Sequence, residues 1–304
     1  MNNDRTVPSD KGASLKEQFM TILEKKQLTI HFQPIVHFHS HQTYGFEALS
    51  RGPLDSPFYS PSHLFPFAER EGLLYTLEKI ARERAFAESK GILKDKKLFI
   101  NLNSQVMYDN QFNPGHTISL LDQYGIAPHH VVFEITERNA IHDFAAFRNV
   151  LHHYREQGFQ IAIDDAGAGY SSLQSISELM PDYIKVDRSL ISGVDHNEVK
   201  FHILEAFVMF AKKMSCEIIA EGIETEAELQ RVIDLGITYG QGFFIAKPNN
   251  PIPSITETAQ KCLANIEQRL GRTVAIDIAD EIILVQNGTV LKRQPARDLL
   301  GEIL

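Results

Sequence analysis

The sequence predicts an α/β fold: a modified TIM (β/α)8 barrel whose first strand is antiparallel, followed by a small C-terminal α/β extension. Short apolar runs, of the length expected for strands buried on both faces, recur along the chain as LFIN, VVFE, IAIDD, YIK and IIAE. Helix-like segments separate them, which gives repeated β-then-α units and a parallel sheet closing on itself. Each run also ends in a side chain able to hold a metal ion or a phosphate: Asn101, Glu134, Asp164 with Asp165, Lys185 and Glu221. Barrels of this kind gather their chemistry at the carboxyl ends of their strands.

Residues 1–13 are polar and read as a disordered lead. Ser14 is placed to cap a helix reaching about Lys25, and LTIHFQPIV follows as the first strand. The connection HFHSHQ into YGFEALSR is too short for a crossover, so the first two strands pair antiparallel. A helical stretch covers 61–90, and strands at 97–102, 131–135, 160–164, 183–186 and 217–220 alternate with helices near 118–124, 141–156, 198–213 and 225–235. A short helix opens at Ser171 and Ser172, and a last strand is expected at 240–245, completing a barrel over 14–250. The rhythm then changes over 251–304: a helix at 254–270, a hairpin IILVQNGTVLK turning at Asn287-Gly288, and a terminal helix opening at Pro295. This extension could cover the barrel, dimerise or be the remains of a module cut short, and it could meet a signalling partner.

A chain of 304 residues with 43% hydrophobic content holds one such barrel of roughly 250 residues and little else. The net charge of -9 disfavours a nucleic-acid polymer or an anionic membrane as partner, since both are attracted by basic patches. Direct membrane insertion is not expected either, because no apolar stretch approaches a membrane span or a signal peptide. Two cysteines, Cys216 and Cys262, are too few for a disulfide framework and lack zinc-site spacing, so they read as reduced core thiols of a cytoplasmic protein.

On a strand Glu47, Leu49 and Arg51 share one face, where an acid and a planar guanidinium hold either a cation beside a phosphate or simply each other. Asp164 and Asp165 repel unless cations lie between them, and oxygen-rich ligation suits Mg²⁺ or Mn²⁺; the plainer reading is a carboxylate capping a turn. The glycine-rich run from Asp165 to Ser172 lacks a P-loop lysine and a dinucleotide fingerprint. His37, His39 and His41 alternate as a soft-metal chelate would, or as a solvated turn. There is no HExxH and no GxSxG, so zinc proteolysis and serine hydrolysis have no support.

Taken in order, HFQPIV, GFEALSRG, LFPFAEREG, FINLN, FEITE, AIDDAGAGYSS, PDYIKVDRSLI, IAEGIETE and YGQGFFIAKP resemble the EAL domain, a bacterial phosphodiesterase family acting on cyclic di-GMP. The wording is closest to EAL domains ahead of CBS and GGDEF modules, although no GGDEF motif follows and the extension is too short for a CBS pair. The resemblance implies two Mg²⁺ or Mn²⁺ ions per site, one held by Glu47, Asn101, Glu134 and Asp164, the other by Asp164, Asp165 and Glu221. It implies Lys185 orienting the attacking water or countering phosphate charge, Glu221 assisting as base, and Glu47 among the catalytic set. Gln33, Arg51, Gln241 and Pro248 match dinucleotide contacts, and Glu137 matches a residue steadying the loop after Asp165. The implied reaction opens one phosphodiester of cyclic di-GMP to linear 5′-pGpG, in a cytoplasmic homodimer. One departure stands out: Ala166 and Ala168 replace the Phe and Thr of many active members. A non-catalytic cyclic di-GMP receptor and an enolase-like barrel are the competing readings; the latter needs a capping domain for which the first strand, starting near residue 28, leaves no room.

Overall fold

The computed structural model describes residues 14–103, 105, 109, 115–136, 144–168, 173–271, 273–278, 281–286 and 289–295. Expectations for the lead at 1–13, for Glu137, for the Asn287-Gly288 turn and for a helix beyond Pro295 lie outside these residues. Eight strands close in sequence order: β1 Thr29–His37, β2 Gln42–Arg51, β3 Lys97–Asn101, β4 Val131–Thr136, β5 Gln160–Ala166, β6 Tyr183–Val186, β7 Glu217–Ala220 and β8 Tyr239–Gly240. β1 is antiparallel to both of its neighbours, β2 and β8, and all other pairs are parallel. The modified barrel is therefore the observed fold.

Two-residue alternation fills the barrel in layers. Ile35, Phe99, Val132, Ala162, Tyr183 and Ile219 form a small inner cluster, with Tyr44 and Tyr239 packed against it. The outward side chains, among them Ile100, Phe133, Ile163, Ile184 and Ile218, join the larger core beneath the helices. The helix Leu15–Glu24 begins at a capping box between Ser14 and Glu17 and sends Phe19 against Phe58 and Phe67, at ring distances of 5.2 and 5.0 Å.

The structure departs from the sequence reading at three places. The long helical stretch is broken at Gly72, whose φ of +69° only glycine adopts readily, giving helices Pro61–Arg70 and Leu74–Ser89. The eighth strand is only two residues long, because the chain leaves the ladder at Gln241 to bond the loop after β7: Ile223 N donates to Gln241 O and Phe244 N to Ile223 O. Gly242 permits that approach, since a Cβ there would lie 2.1 Å from Ile223 O. In the extension, the helix Glu257–Gly271 leads into a three-stranded antiparallel sheet of β9 Thr273–Ile278, β10 Glu281–Gln286 and β11 Thr289–Pro295. The expected hairpin is its second half, β9 was not anticipated, and Pro295 ends a strand.

Candidate active site

Two residues beyond the inner apolar layer, each strand turns a polar side chain inward. β3 to β6 supply Asn101, Glu134, Asp164 and Lys185, the positions just past β7 and β8 supply Glu221 and Gln241, and β2 supplies Glu47. Gln33 on β1 lies directly opposite Glu47 in the antiparallel register and so shares its face. One residue from each strand thus makes a ring at the barrel mouth.

Lys185 sits in the middle of that ring, 1% exposed. Its Nζ lies 2.5 Å from Glu134 Oε1, 2.8 Å from Glu221 Oε1, 3.1 Å from Asp164 Oδ1 and 3.5 Å from Glu47 Oε2. The amides tie the acids together: Gln241 Nε2 donates to Glu47 Oε2 at 2.6 Å and to Glu221 Oε1 at 2.8 Å. Asn101 Nδ2 reaches Glu47 Oε1 at 3.4 Å and Glu134 Oε2 at 3.3 Å. Gln33 Nε2 donates to Ala246 O at 3.1 Å, which fastens β1 to the segment after β8.

Asp165 should point away from Asp164 on a regular strand, but a bulge changes that. The β5–β6 register shifts between Ile163 and Ala166, and Asp165 takes a φ of +58°. Ligand atoms of Asp164, Asp165 and Glu221 accordingly come within 4.8 Å of one another. Backbone strain at such a residue persists only where its surroundings impose it.

Burial sets the electrostatics. It raises Glu134 well above the ordinary carboxylate range, reinforced by the charge of Glu47; it raises Glu221 against the pull of Lys185, and it raises Asp165 with help from Asp164. Burial alone would lower Lys185, yet the charges of Asp164, Glu134, Glu221 and Glu47 outweigh it and hold the ammonium protonated far beyond its usual range. Five carboxylates around one ammonium leave four formal negative charges in excess, which two divalent cations would cancel. The donors are all oxygens, and Glu134 Oε1 and Asp164 Oδ1, both buried, meet the Lys185 ammonium without a well-directed hydrogen bond. Such a set fits hard cations.

Arg51 stands farther out on the same face of β2, half-buried, with Nη1 on Ser50 O at 2.9 Å. Pro248 is brought beside β1 by the bridge between Phe32 and Asn249. Between them stands His31, which the sequence reading missed; its ring feels Arg51 and bonds the backbone of Pro248, and burial lowers its pKa. Two-residue alternation from Gln33 along β1 was the signal that could have found it. The proposed ligands and Lys185, Gln33 and Gln241 all meet at the ring, while Arg51 and Pro248 stand at its rim.

The family model described as EAL domain matches residues 14–248. The chain is 31% identical over 229 residues to the probable cyclic di-GMP phosphodiesterase PdeB of Escherichia coli, covering 74% of this chain and 43% of that protein. It is 29% identical over 253 residues to the bifunctional diguanylate cyclase/cyclic di-GMP phosphodiesterase MucR of Pseudomonas aeruginosa, covering 79% of this chain and 36% of that one. The chain thus spans less than half the length of these relatives. Among solved structures, a calcium and cyclic di-GMP complex of Klebsiella pneumoniae BlrP1 superposes with a TM-score of 0.70 at 32% identity, over 75% of this chain and 58% of that one. The PaMucR phosphodiesterase in complex with c-di-GMP does so with a TM-score of 0.70 at 29% identity, over 77% and 97%. A family match over most of the chain, relatives at about 30% identity and a barrel that superposes on solved structures with TM-scores of 0.70 lead to one conclusion: this chain belongs to the EAL domain family.

Proposed function

We propose that the chain hydrolyses one phosphodiester bond of cyclic di-GMP to linear 5′-pGpG with two Mg²⁺ or Mn²⁺ ions at the barrel mouth, lowering this second messenger in bacterial signalling. The observation that carries the reading is the ring itself, which gathers five carboxylates about one buried ammonium, more negative charge than that ammonium offsets. Relatives named as cyclic di-GMP phosphodiesterases, and a manganese and cyclic di-GMP complex of BlrP1, support the choice of substrate and of metal.

Glu47, Asn101, Glu134 and Asp164 would hold one cation, and Asp164, Asp165 and Glu221 the other, with Asp164 common to both. Bound divalent cations supply Lewis acidity, acidifying water near neutral pH and offsetting charge on the phosphate and the departing 3′ oxygen. Lys185, kept protonated by its neighbours, donates toward the attacking water or a phosphate oxygen. Glu221 stands at the outer edge of the ring and accepts the proton of the attacking water. Gln241 fixes the rotamers of Glu47 and Glu221 by donating to both and, with Gln33, Arg51 and Pro248, holds the dinucleotide. The reading includes a cytoplasmic homodimer and a signalling partner at the C-terminal extension.

Incubating the protein with cyclic di-GMP and Mn²⁺ or Mg²⁺ and resolving the products by chromatography tests this directly. pGpG is the expected product; binding without turnover would make the chain a receptor of the same fold, and neither binding nor turnover would refute the assignment.

A further inference from the structure

The segment that follows β8 carries Gln241 into the ring and Pro248 to its rim, and its backbone is held from two sides. On the side of the ring, Ala246 O accepts from Gln33 Nε2 at 3.1 Å, and Asn249 exchanges both backbone hydrogen bonds with Phe32 of β1. The two carbonyls just before Ala246 take their partner from the C-terminal extension instead. Phe244 O accepts from Thr256 Oγ1 at 2.8 Å, and Ile245 O accepts from Thr256 N at 2.9 Å. Three consecutive carbonyls thus join the ring to a single residue of the extension.

Thr256 stands immediately ahead of the helix Glu257–Gly271. Its hydroxyl accepts from Ala259 N at 3.2 Å, as an N-cap does, while donating to Phe244 O. A hydroxyl can do both, because it carries one donor and two acceptor lone pairs, so one oxygen starts the helix and fastens it to the barrel mouth. Behind that contact the helix is seated in the core: Ala259, Cys262, Leu263 and Ile266 are buried in the same cluster as Ile245 of the mouth segment. It also packs against the helix Glu226–Asp234. Its far end, about 22 Å away at 1.5 Å per residue, leads into β9. Thr256 lies outside residues 14–248 of the family match, so the connection belongs to this chain's extension.

We propose that Thr256 is a positioning residue through which the extension sets the barrel mouth, and that substrate affinity depends on its hydroxyl bond to Phe244. The proposal rests on the cyclic di-GMP reading above. Thr256 touches no substrate; it acts through the segment after β8, which fixes Gln33 by way of Ala246 and presents Gln241 and Pro248 to the dinucleotide. A displacement of the helix, however it arises, breaks the same two bonds and loosens that segment, so the extension acts as a regulatory input to the mouth.

Thr256 is exposed, so replacing it disturbs no core packing, and three variants separate the two bonds of its hydroxyl. Thr256→Ser keeps both, Thr256→Asp keeps the cap but has no proton to give Phe244 O, and Thr256→Val loses both. The test measures kcat and KM for cyclic di-GMP with Mn²⁺, together with the melting temperature, in the full chain. Thr256→Asp and Thr256→Val should raise KM by roughly three- to tenfold, the worth of one hydrogen bond, with kcat within about twofold of wild type and Thr256→Ser at the wild-type KM. Thr256→Val should melt lowest, because it alone also loses the cap. A wild-type KM in Thr256→Asp, or a loss confined to kcat, overturns the proposal and leaves the functional reading standing, since a residue that only caps a helix gives those results. Should Thr256→Val fail to fold, Thr256→Asp decides alone. If the wild-type protein binds cyclic di-GMP without cutting it, Kd replaces KM with the same expectations; if it neither binds nor cuts, the functional reading and this proposal fall together.

Discussion

Replacing Lys185 with methionine removes the one ammonium that the described residues place inside the carboxylate ring, while keeping the length and apolar stem of the side chain. Lys185 is 1% exposed and within 3.5 Å of four carboxylates, so its loss leaves buried negative charge without compensation. Breaking a buried ion pair by removing one partner costs roughly 3–5 kcal/mol. At about 2–4 °C per kcal/mol for a domain of this size, the melting temperature in chelator should fall by roughly 6–20 °C. Saturating Mn²⁺ supplies the missing positive charge from outside, so the deficit should shrink when the two proteins are compared with metal. Thermal unfolding of both, in EDTA and in Mn²⁺, checks this. A Lys185→Met protein that melts within about 2 °C of wild type in EDTA would refute the argument, because the carboxylates would then not depend on Lys185 as their internal counter-ion.

Three further outcomes follow from the same geometry. Glu47→Ala or Glu221→Ala should lower turnover of cyclic di-GMP by at least about a hundredfold, as loss of a group at a metal centre does, while near-wild-type turnover in either would sink the assignment. Glu134 and Glu221 have folded pKa values above their unfolded ones, so the folded protein binds more protons than the unfolded chain. Their stabilising contribution is present below about 4.5 and lost as pH rises toward the raised values; in EDTA the melting temperature should therefore climb as pH falls from 8 to 6, and saturating Mn²⁺ should remove that climb. Ala166→Phe should cost about 1–3 kcal/mol in urea unfolding, since Ala166 is fully buried and its neighbour Gly167 leaves Leu190 Cδ1 only 2.3 Å from any added Cβ. An unchanged urea midpoint would mean that this bulge has room to repack.

The barrel was legible because strands buried on both faces must be written as continuous apolar runs, and the ring because it falls at their ends. Asn101, Glu134, Asp164, Lys185 and Glu221 needed no structure to be singled out. The link between β1 and β2 revealed the reversed strand, since no crossover fits it. β8 was misread because its neighbours in sequence are apolar, yet Gly242 lets the chain leave the ladder for the backbone at Ile223. β9 escaped notice because it begins at Thr273, almost directly after the helix Glu257–Gly271, with no loop between them to set it apart. Thr256 was passed over for a different reason: a threonine where a helix starts normally does no more than cap it, and only tertiary packing turns its hydroxyl onto Phe244 O.

A site assembled from one residue per strand has a consequence for how it can be made or lost. Its members run from Gln33 to Gln241, so no contiguous fragment of the barrel carries it, and the reversed β1 is the piece that joins β8 to β2. Ligation geometry comes into being only at closure, after contacts distant in sequence have formed, and such contacts are slow to assemble. Cation affinity is then a reporter of the last folding event: a chain that regains helix and strand content but leaves the β1–β8 seam open should bind divalent ions no better than any acidic surface does.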